Sequence, residues 1–337
     1  MASEKTVFSE LAVALGILGN EYPDCGGLER IDKLDGASKS KFMKRLEESK
    51  SSPPLSKSAN NLYEAGLIIR RHLDSIGNSS PQIEWLGGKK TFAPAPKDLL
   101  IVGSYKVSVK ENSKIIRNPS PVNVFERWPK GDFDNKRSSN WFLSVAEEEL
   151  QAYYESCGGG SAIPFKSVMD YFENRSKYKE FLGEQAAKFT KNEGHPAKKK
   201  YASLCEAVSK RSSAIFNKSL NKSKLGAIAR YFFLVNTSPY ILSGIEDNHP
   251  FAVLIPDLDS WKERFDVLDI KANPRGAGQP EVDIFIRMTD KKANMEFQKI
   301  IRVEIRWSHG KFCGNPEAKT YRQWKPMEIP GVKPLLD

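Results

Sequence analysis

An aspartate and a lysine twelve positions apart could form a hydrolytic site. Asp98 begins the hydrophobic segment 98–102, and Lys110 ends the next such segment, 106–110. Because residues two apart on a strand project from the same face, Ser108 shares the face of Lys110. If the two segments pair as neighbouring strands, Asp98 and Lys110 lie at one edge of a sheet. A carboxylate there can hold Mg²⁺, and a lysine can orient a water or stabilise charge during phosphodiester hydrolysis.

The flanking sequence predicts the elements that would position this pair. Apolar residues recur at steps of three and four from Leu62 to Ile76, which predicts an amphipathic helix that begins near Ser58. Three short strands and a short helix are then predicted in turn, over 82–86, 98–102, 106–110 and 122–128. Residues 58–128 are therefore expected to form a helix, three strands and a second helix.

This order of elements, with an acid and a later lysine on adjacent strands, resembles the PD-(D/E)XK nuclease superfamily, and in particular its type II restriction endonucleases. Asp98 matches the aspartate of the PD pair, although Pro96 lies one residue further away than in the strict motif. Ser108 replaces the acid of the tripeptide that Lys110 ends, as in an SxK variant of the motif. The resemblance implies that Asp98, Ser108 and Lys110 belong to a Mg²⁺-dependent catalytic site.

The resemblance also implies further acidic residues. In the SxK variant the missing acid moves to the following helix, where Glu126 lies sixteen residues after the lysine and would complete the metal-binding carboxylates. Glu111 is an alternative position for that acid. The same family places another glutamate on the helix before the strands. Glu64 matches that position as a metal ligand, and Glu84 on the first strand is a further possibility.

A second group of charged residues near the C-terminus imitates the same motif. Asp283 lies in the predicted strand 282–286, and Glu304 and Arg306 lie in the predicted strand 300–307. Arginine does not easily lose its proton and differs from lysine in geometry, so this group is the alternative active site. Otherwise the region either packs its aromatic residues in a hairpin or contacts DNA. The predicted DNA contacts here are Arg306, Lys311 and Arg322.

The positive charge of the chain is concentrated in one segment. The net charge is +10 and the pI is about 9.2. Residues 185–230 contain eleven lysines and arginines but only two glutamates. Such a segment is either a solvated helical surface or a face that contacts the phosphates of nucleic acid. On the second interpretation, the predicted DNA contacts are Lys198, Lys199 and Lys200.

Composition indicates a soluble globular protein. Of the 337 residues, 39% are hydrophobic and 28% are charged, and no apolar run is long enough to span a membrane. The four cysteines are far apart and form no zinc-binding pattern, which favours the reducing environment of the cytoplasm.

The expected fold is α/β, with a mixed central sheet flanked by helices in a restriction-endonuclease-like core, a helical basic insertion and a β-rich C-terminal region. The glycine run 158–160 predicts a joint between residues 1–157, which contain the catalytic core, and residues 162–337, which contain the recognition region. Helices are predicted over 165–230. Further strands are predicted at 231–235, 251–255, 282–286 and 300–307.

These patterns predict a Mg²⁺-dependent, sequence-specific endonuclease of double-stranded DNA, of the type II restriction class. Cleavage of both strands at a symmetric site favours a homodimer. One alternative is a non-enzymatic DNA- or RNA-binding protein that uses the basic segment 185–230. Another is a nuclease of DNA repair or phage DNA processing.

Overall fold

The structure is a computed structural model that describes residues 3–19, 26–87, 98–135 and 140–335. The α-helices are α1 (Glu4–Leu18), α2 (Gly36–Lys50), α3 (Pro53–Ser75), α4 (Trp141–Ser156), α5 (Val168–Asn174), α6 (Lys179–Lys191), α7 (Pro196–Ser219), α8 (Leu225–Phe232) and α9 (Leu258–Arg264). The strands are β1 (Ile31–Asp32), β2 (Ile83–Trp85), β3 (Leu99–Ile101), β4 (Lys106–Glu111), β5 (Ile115–Arg117), β6 (Tyr240–Glu246), β7 (His249–Ile255), β8 (Phe265–Ala277), β9 (Gln279–Asp290), β10 (Met295–Trp307), β11 (Pro316–Arg322) and β12 (Lys333–Pro334). None of these helices is both long and apolar enough to cross a membrane.

The chain divides into two compact units. The first unit comprises Met1–Ser113, Phe233–Phe265 and Trp324–Asp337, and the second comprises Lys114–Phe232 and Asp266–Gln323. The predicted joint at 158–160 lies inside the second unit. A Cβ on Gly159 there would lie only 2.2 Å from the ring of Tyr154, so this glycine serves close packing. The units differ in extent from the two predicted regions, because the chain returns twice to the first unit.

The first unit is built on a mixed sheet, as the sequence predicts. Its seven strands have the order β1-β2-β3-β4-β6-β7-β12. Strand β3 is antiparallel to both β2 and β4, β6 is parallel to β4, and β7 is antiparallel to β6. The predicted helix before the strands is confirmed within α3, and the three predicted strands are confirmed as β2, β3 and β4.

Helix α1 is buried in the first unit along most of its length. Every residue from Val7 to Leu18 is buried, which is typical of a helix covered on all sides. A Cβ on Gly16 would lie 2.2 Å from the backbone oxygen of Tyr63, so a glycine is needed where α1 meets α3. The buried stretch includes one charged residue, Glu10.

The second unit combines helices with an antiparallel sheet. The sheet has five strands in the order β5-β11-β10-β9-β8, and α7 packs against β9. The predicted alternation on β10 is confirmed, because Ile301, Val303 and Ile305 are fully buried whereas the residues between them are partly exposed. The predicted helices of 165–230 are confirmed as α5 to α8.

The other predicted elements have mixed outcomes. The strands at 251–255, 282–286 and 300–307 are confirmed within β7, β9 and β10, and the short helix at 122–128 is present as a π-helical turn over Asn123–Arg127. The prediction of a strand at 231–235 is wrong, because α8 extends to Phe232 and no strand covers this stretch. A five-residue apolar run has no period that distinguishes a strand from a helix.

Candidate active site

The hairpin of β3 and β4 holds the carboxylate of Asp98 in place. The backbone N–H of Asp98 donates to the carbonyl oxygen of Val107 at 3.0 Å. The Asp98 carboxylate accepts the backbone N–H of Val109 at 2.7 Å, and the hydroxyl of Ser108 lies 3.4 Å from the same oxygen. Ser108 is fully buried. The backbone of β4 therefore fixes the acid that the sequence predicts.

The backbone of Lys110 is positioned by the parallel pairing of β4 with β6. Lys110 lies opposite Gly244 in this register. Gly244 has a φ of 141°, and a Cβ there would lie 1.7 Å from the carbonyl oxygen of Lys110. Only glycine fits so close to the neighbouring backbone. The backbone of Lys110 can therefore take this position only because residue 244 on β6 has no side chain.

A second acid, Glu10 of α1, joins this site. Its carboxylate accepts the indole N–H of Trp85 at 2.7 Å, and the residue is only 3% exposed. Burial raises the pKa of Glu10 to about 8, the negative charge of Asp98 adds to the rise, and the Trp85 hydrogen bond and the charge of Lys110 oppose it. Asp98 and Lys110 therefore lie close enough to Glu10 for their charges to act on its pKa.

The pKa of Asp98 is shifted in the same direction. Burial raises it, while the charge of Lys110 and the hydrogen bonds from Val109 and Ser108 act against the rise. Two buried acids next to one lysine carry an excess of negative charge when both are ionised. Such a pair is stabilised either by a proton or by an additional cation.

The two acids suit Mg²⁺ better than a metal that needs a complete set of protein ligands. Among the described residues, no group of three or more His, Cys, Asp or Glu side chains is placed to hold a metal ion. Mg²⁺ is usually bound by one or two carboxylates, with water and substrate phosphate as its other ligands. Glu10 and Asp98 supply that number, and a divalent cation would relieve the repulsion that helps to raise the pKa of Glu10.

Sequence reasoning missed Glu10, although a signal was present. Glu10 is the single charged residue in the buried stretch Val7–Leu18. A lone carboxylate in an apolar helix is costly to bury and therefore often has a specific role. What the sequence could not indicate is that α1 lies beside the hairpin of β3 and β4.

Glu111, one alternative for the missing acid, is held by residues of α1 and α3. Its carboxylate accepts hydrogen bonds from the hydroxyls of Ser9 at 2.7 Å and Ser58 at 3.0 Å. The ammonium group of Lys5 lies 3.3 Å from it. These neighbours give Glu111 a structural role at the end of β4.

The remaining predicted acids lie elsewhere. Glu64 on α3 is about half exposed and lies 3.8 Å from the guanidinium group of Arg71. Glu84 on β2 forms an ion pair with Lys33. Glu126 lies in the π-helical turn of the second unit. Pro96 lies outside the described residues.

The alternative acid and base group of the second unit is a network of ion pairs. The guanidinium groups of Arg302 and Arg275 lie 3.2 and 3.3 Å from the carboxylate of Asp283, and Arg275 also lies 3.2 Å from Glu281. Glu304 accepts the hydroxyl of Tyr321 at 2.7 Å. In this network the acids have cationic or hydrogen-bonding partners.

The predicted DNA-contacting residues of α7 are accessible to different extents. Lys199 and Lys200 are exposed near the amino end of the helix. Lys198 forms an ion pair with Glu193.

The predicted contacts from the C-terminal region are less accessible. Arg306 is 42% exposed and lies 3.8 Å from Glu317. Lys311 is half-buried over the ring of Tyr201. Arg322 is only 7% exposed, on the side of β11 that also buries Ala318 and Thr320.

Comparison of the chain with family models, with curated proteins and with solved structures finds no match.

Proposed function

We propose that this protein is a Mg²⁺-dependent endonuclease that hydrolyses phosphodiester bonds of double-stranded DNA. The observation that carries the proposal is the group of Glu10, Asp98 and Lys110, in which two acids are buried and the charges of Asp98 and Lys110 both act on the pKa of Glu10. Metal-assisted phosphodiester hydrolysis uses carboxylates to hold the metal and a nearby cation to stabilise the charge of the transition state.

Each residue has a defined role in this proposal. Asp98 and Glu10 would hold Mg²⁺, which when bound polarises a phosphoryl oxygen and lowers the pKa of a bound water. Lys110 contributes positive charge near the phosphate undergoing attack and orients the water. Ser108 fills its buried position without adding a third negative charge, and its hydroxyl helps to orient Asp98.

The arrangement of the sheet agrees with the nuclease resemblance. A helix precedes three antiparallel strands, and the strand with Lys110 pairs in parallel with a later strand. The proposal includes a restriction-endonuclease-like core, action as a homodimer at a specific sequence, and a cytoplasmic location. Glu126 remains the predicted acid of the SxK variant, and Glu10 is the candidate that the geometry favours.

Plasmid cleavage tests this proposal directly. Purified protein is incubated with supercoiled and linear DNA in Mg²⁺ or in EDTA. Discrete fragments that require Mg²⁺ support a restriction enzyme, whereas a Mg²⁺-dependent smear supports a nuclease of repair or phage processing. Intact DNA in Mg²⁺, from protein shown to be folded, contradicts the proposal.

A non-enzymatic nucleic-acid-binding protein is the second candidate. The exposed lysines at the amino end of α7, Lys199 and Lys200, favour it because surface lysines release counterions from phosphates. A gel shift with intact DNA supports this candidate. Neutralising Lys198, Lys199 and Lys200 together should then weaken binding to all sequences equally and reduce its dependence on salt.

A further inference from the structure

A cavity in the second unit has three lysines in its wall. It has a volume of about 400 Å³, and its cationic residues are Lys191 at the end of α6, Lys198 in the first turn of α7, and Lys311 between β10 and β11. Among the described residues that line it, none is an aspartate or glutamate. Lys198 is paired with Glu193, which does not line the cavity, and Lys191 and Lys311 add two further positive charges, so the wall has a net positive charge.

Lys311 is the most unusual of these three residues. Its ammonium group lies 3.2 Å from the centre of the Tyr201 ring, a cation–π contact. Burial lowers the pKa of Lys311 to about 8, and the positive charge of Lys191 contributes to the fall. No described carboxylate forms an ion pair with Lys311, so an anion in the cavity would be its strongest available partner.

The wall also has fixed polar groups. The hydroxyl of Tyr201 donates to the side-chain oxygen of Gln279 at 2.9 Å. The hydroxyl of Thr190 lies 2.7 Å from that of Tyr153. These bonds link α4, α6, α7 and β9, so the side chains around the lysines are held before any ligand binds. A pre-organised wall reduces the entropic cost of binding.

We propose that this cavity binds a phosphate monoester of an organic molecule through Lys191, Lys198 and Lys311. The volume lies in the range of roughly 300–1,000 Å³ of small-molecule sites and greatly exceeds the roughly 30 Å³ share of one water molecule. It therefore has room for more than inorganic phosphate. The same chemistry has two sources, a free nucleoside monophosphate or the 5′-phosphorylated end of a DNA strand. This inference does not depend on hydrolysis at Asp98.

Calorimetric titration in EDTA tests the site and separates the two sources. The probes are AMP, adenosine, inorganic phosphate and a DNA duplex with 5′-phosphate or 5′-hydroxyl ends. If AMP binds and adenosine does not, the cavity is a site for a free nucleotide. If AMP does not bind, and the 5′-phosphorylated duplex binds more tightly than the 5′-hydroxyl duplex, the cavity binds a DNA end. Equal affinity for each monoester and its dephosphorylated form, or equal affinity for AMP and inorganic phosphate, overturns the proposal.

Matched variants locate the binding. Lys311→Gln should weaken the binding of whichever monoester binds, AMP or the 5′-phosphorylated duplex, about tenfold or more, because a hydrogen bond to a charged group is lost. Lys292→Gln removes an exposed lysine of the β9–β10 turn, outside the cavity, and should leave binding unchanged. Equal affinity in wild type and Lys311→Gln overturns the proposal.

Chemical labelling gives a measurement on the wild-type protein alone. The amine of Lys311 should attack the aldehyde of pyridoxal 5′-phosphate with loss of water, and borohydride then reduces the imine to a stable secondary amine. Mass spectrometry should find this label on Lys311, and the active monoester should protect against it. Labelling of Lys311 without protection contradicts the proposal.

Discussion

Two regions of the molecule carry an acid followed by a strand with a basic residue next to its last position, and they differ in how the charges of their acids are balanced. In the second unit, Asp283 has guanidinium groups at 3.2 and 3.3 Å. In the first unit, the hydrogen bonds to Asp98 and Glu10 come from neutral donors, the Val109 N–H and the Trp85 indole among them. Glu10 and Asp98 in the first unit are buried with one lysine, Lys110, acting on both. Asp283 in the second unit is neutralised by two arginines.

This difference separates a structural charge network from a candidate active site. Partly exposed ion pairs satisfy their charges and contribute little to stability. Buried carboxylates with raised pKa values reduce stability when they ionise, so a sequence that keeps them is expected to use them for another purpose. The same motif therefore predicts chemistry in the first unit and packing in the second.

Replacing the two aspartates should give the largest contrast. Asp98→Asn replaces the carboxylate proposed to bind the metal with an amide of similar size. It should lower Mg²⁺-dependent cleavage by about a thousandfold or more, roughly 4 kcal/mol of transition-state stabilisation. Asp283→Asn, its matched control, should cut at nearly the wild-type rate. Both proteins are compared by plasmid cleavage and by circular dichroism. Loss of cleavage in the folded Asp283 variant alone would place the site in the second unit.

The basic residues of the two regions give the next contrast. Lys110→Gln should lower cleavage by about 10²–10³-fold, since one charge that stabilises the transition state is lost. Arg306→Gln should change the discrimination between DNA sites more than the rate. Single-turnover cleavage and binding of cognate and altered sites measure the two effects. If Arg306→Gln abolishes cleavage while cognate binding persists, the comparison is reversed.

The glycine that faces Lys110 predicts a stability effect. In Gly244→Ala the new Cβ would meet the Lys110 carbonyl oxygen, so β4 and β6 must separate, at a cost of about 1–3 kcal/mol. Gly226→Ala on α8 is the control, because nothing lies within 4 Å of its Cβ position. Urea denaturation should show a loss only for Gly244→Ala, and cleavage should fall with it. Equal stability of the two variants contradicts the proposed close approach.

The sequence predicts the local part of the site and not the tertiary part. Asp98, Ser108 and Lys110 belong to one hairpin, so strand alternation and a short connection were enough to bring them together. Glu10 is 88 residues before Asp98, and only the packing of α1 beside the sheet brings it there. Glu64 on α3 lies at the expected position along the chain. That position alone could not indicate that the acid near the hairpin comes from α1 and not from α3.

The same distinction applies to the fold. Long periodic segments such as α3 and β10 were predicted correctly, because their burial follows their own pattern. Strand β6 was missed, since Ser243 and Gly244 interrupt its apolar run. The two units could not be predicted from a glycine run, because the first is assembled from three separate segments of the chain.

The pH dependence of stability provides the finest test of the imbalance in the first unit. The folded pKa of Glu10 is about 8, above its ordinary value of 4.5, so between these values the folded state holds a proton that the unfolded state has released. The free energy of unfolding should therefore fall as the pH rises from about 4.5 to 8, by up to about 1.4 kcal/mol per pH unit. Glu10→Gln stays neutral and can still accept the Trp85 hydrogen bond, so it should lose the part of this decline that Glu10 contributes, while the raised pKa of Asp98 leaves a smaller decline.

Asp35 supplies a control with the opposite sign. Hydrogen bonds from Ser38 lower the pKa of Asp35 below its ordinary 3.8, so its contribution is complete above that pH and is lost only in acid. Asp35→Ala removes the N-cap of α2. It should lower the free energy of unfolding by about 0.5–2 kcal/mol, and by the same amount at pH 5 as at pH 8. Urea denaturation in EDTA at both pH values measures the two variants against wild type. The difference in free energy of unfolding between Glu10→Gln and wild type should change between pH 5 and pH 8. If it is the same at both pH values, Glu10 is not held protonated beside Asp98.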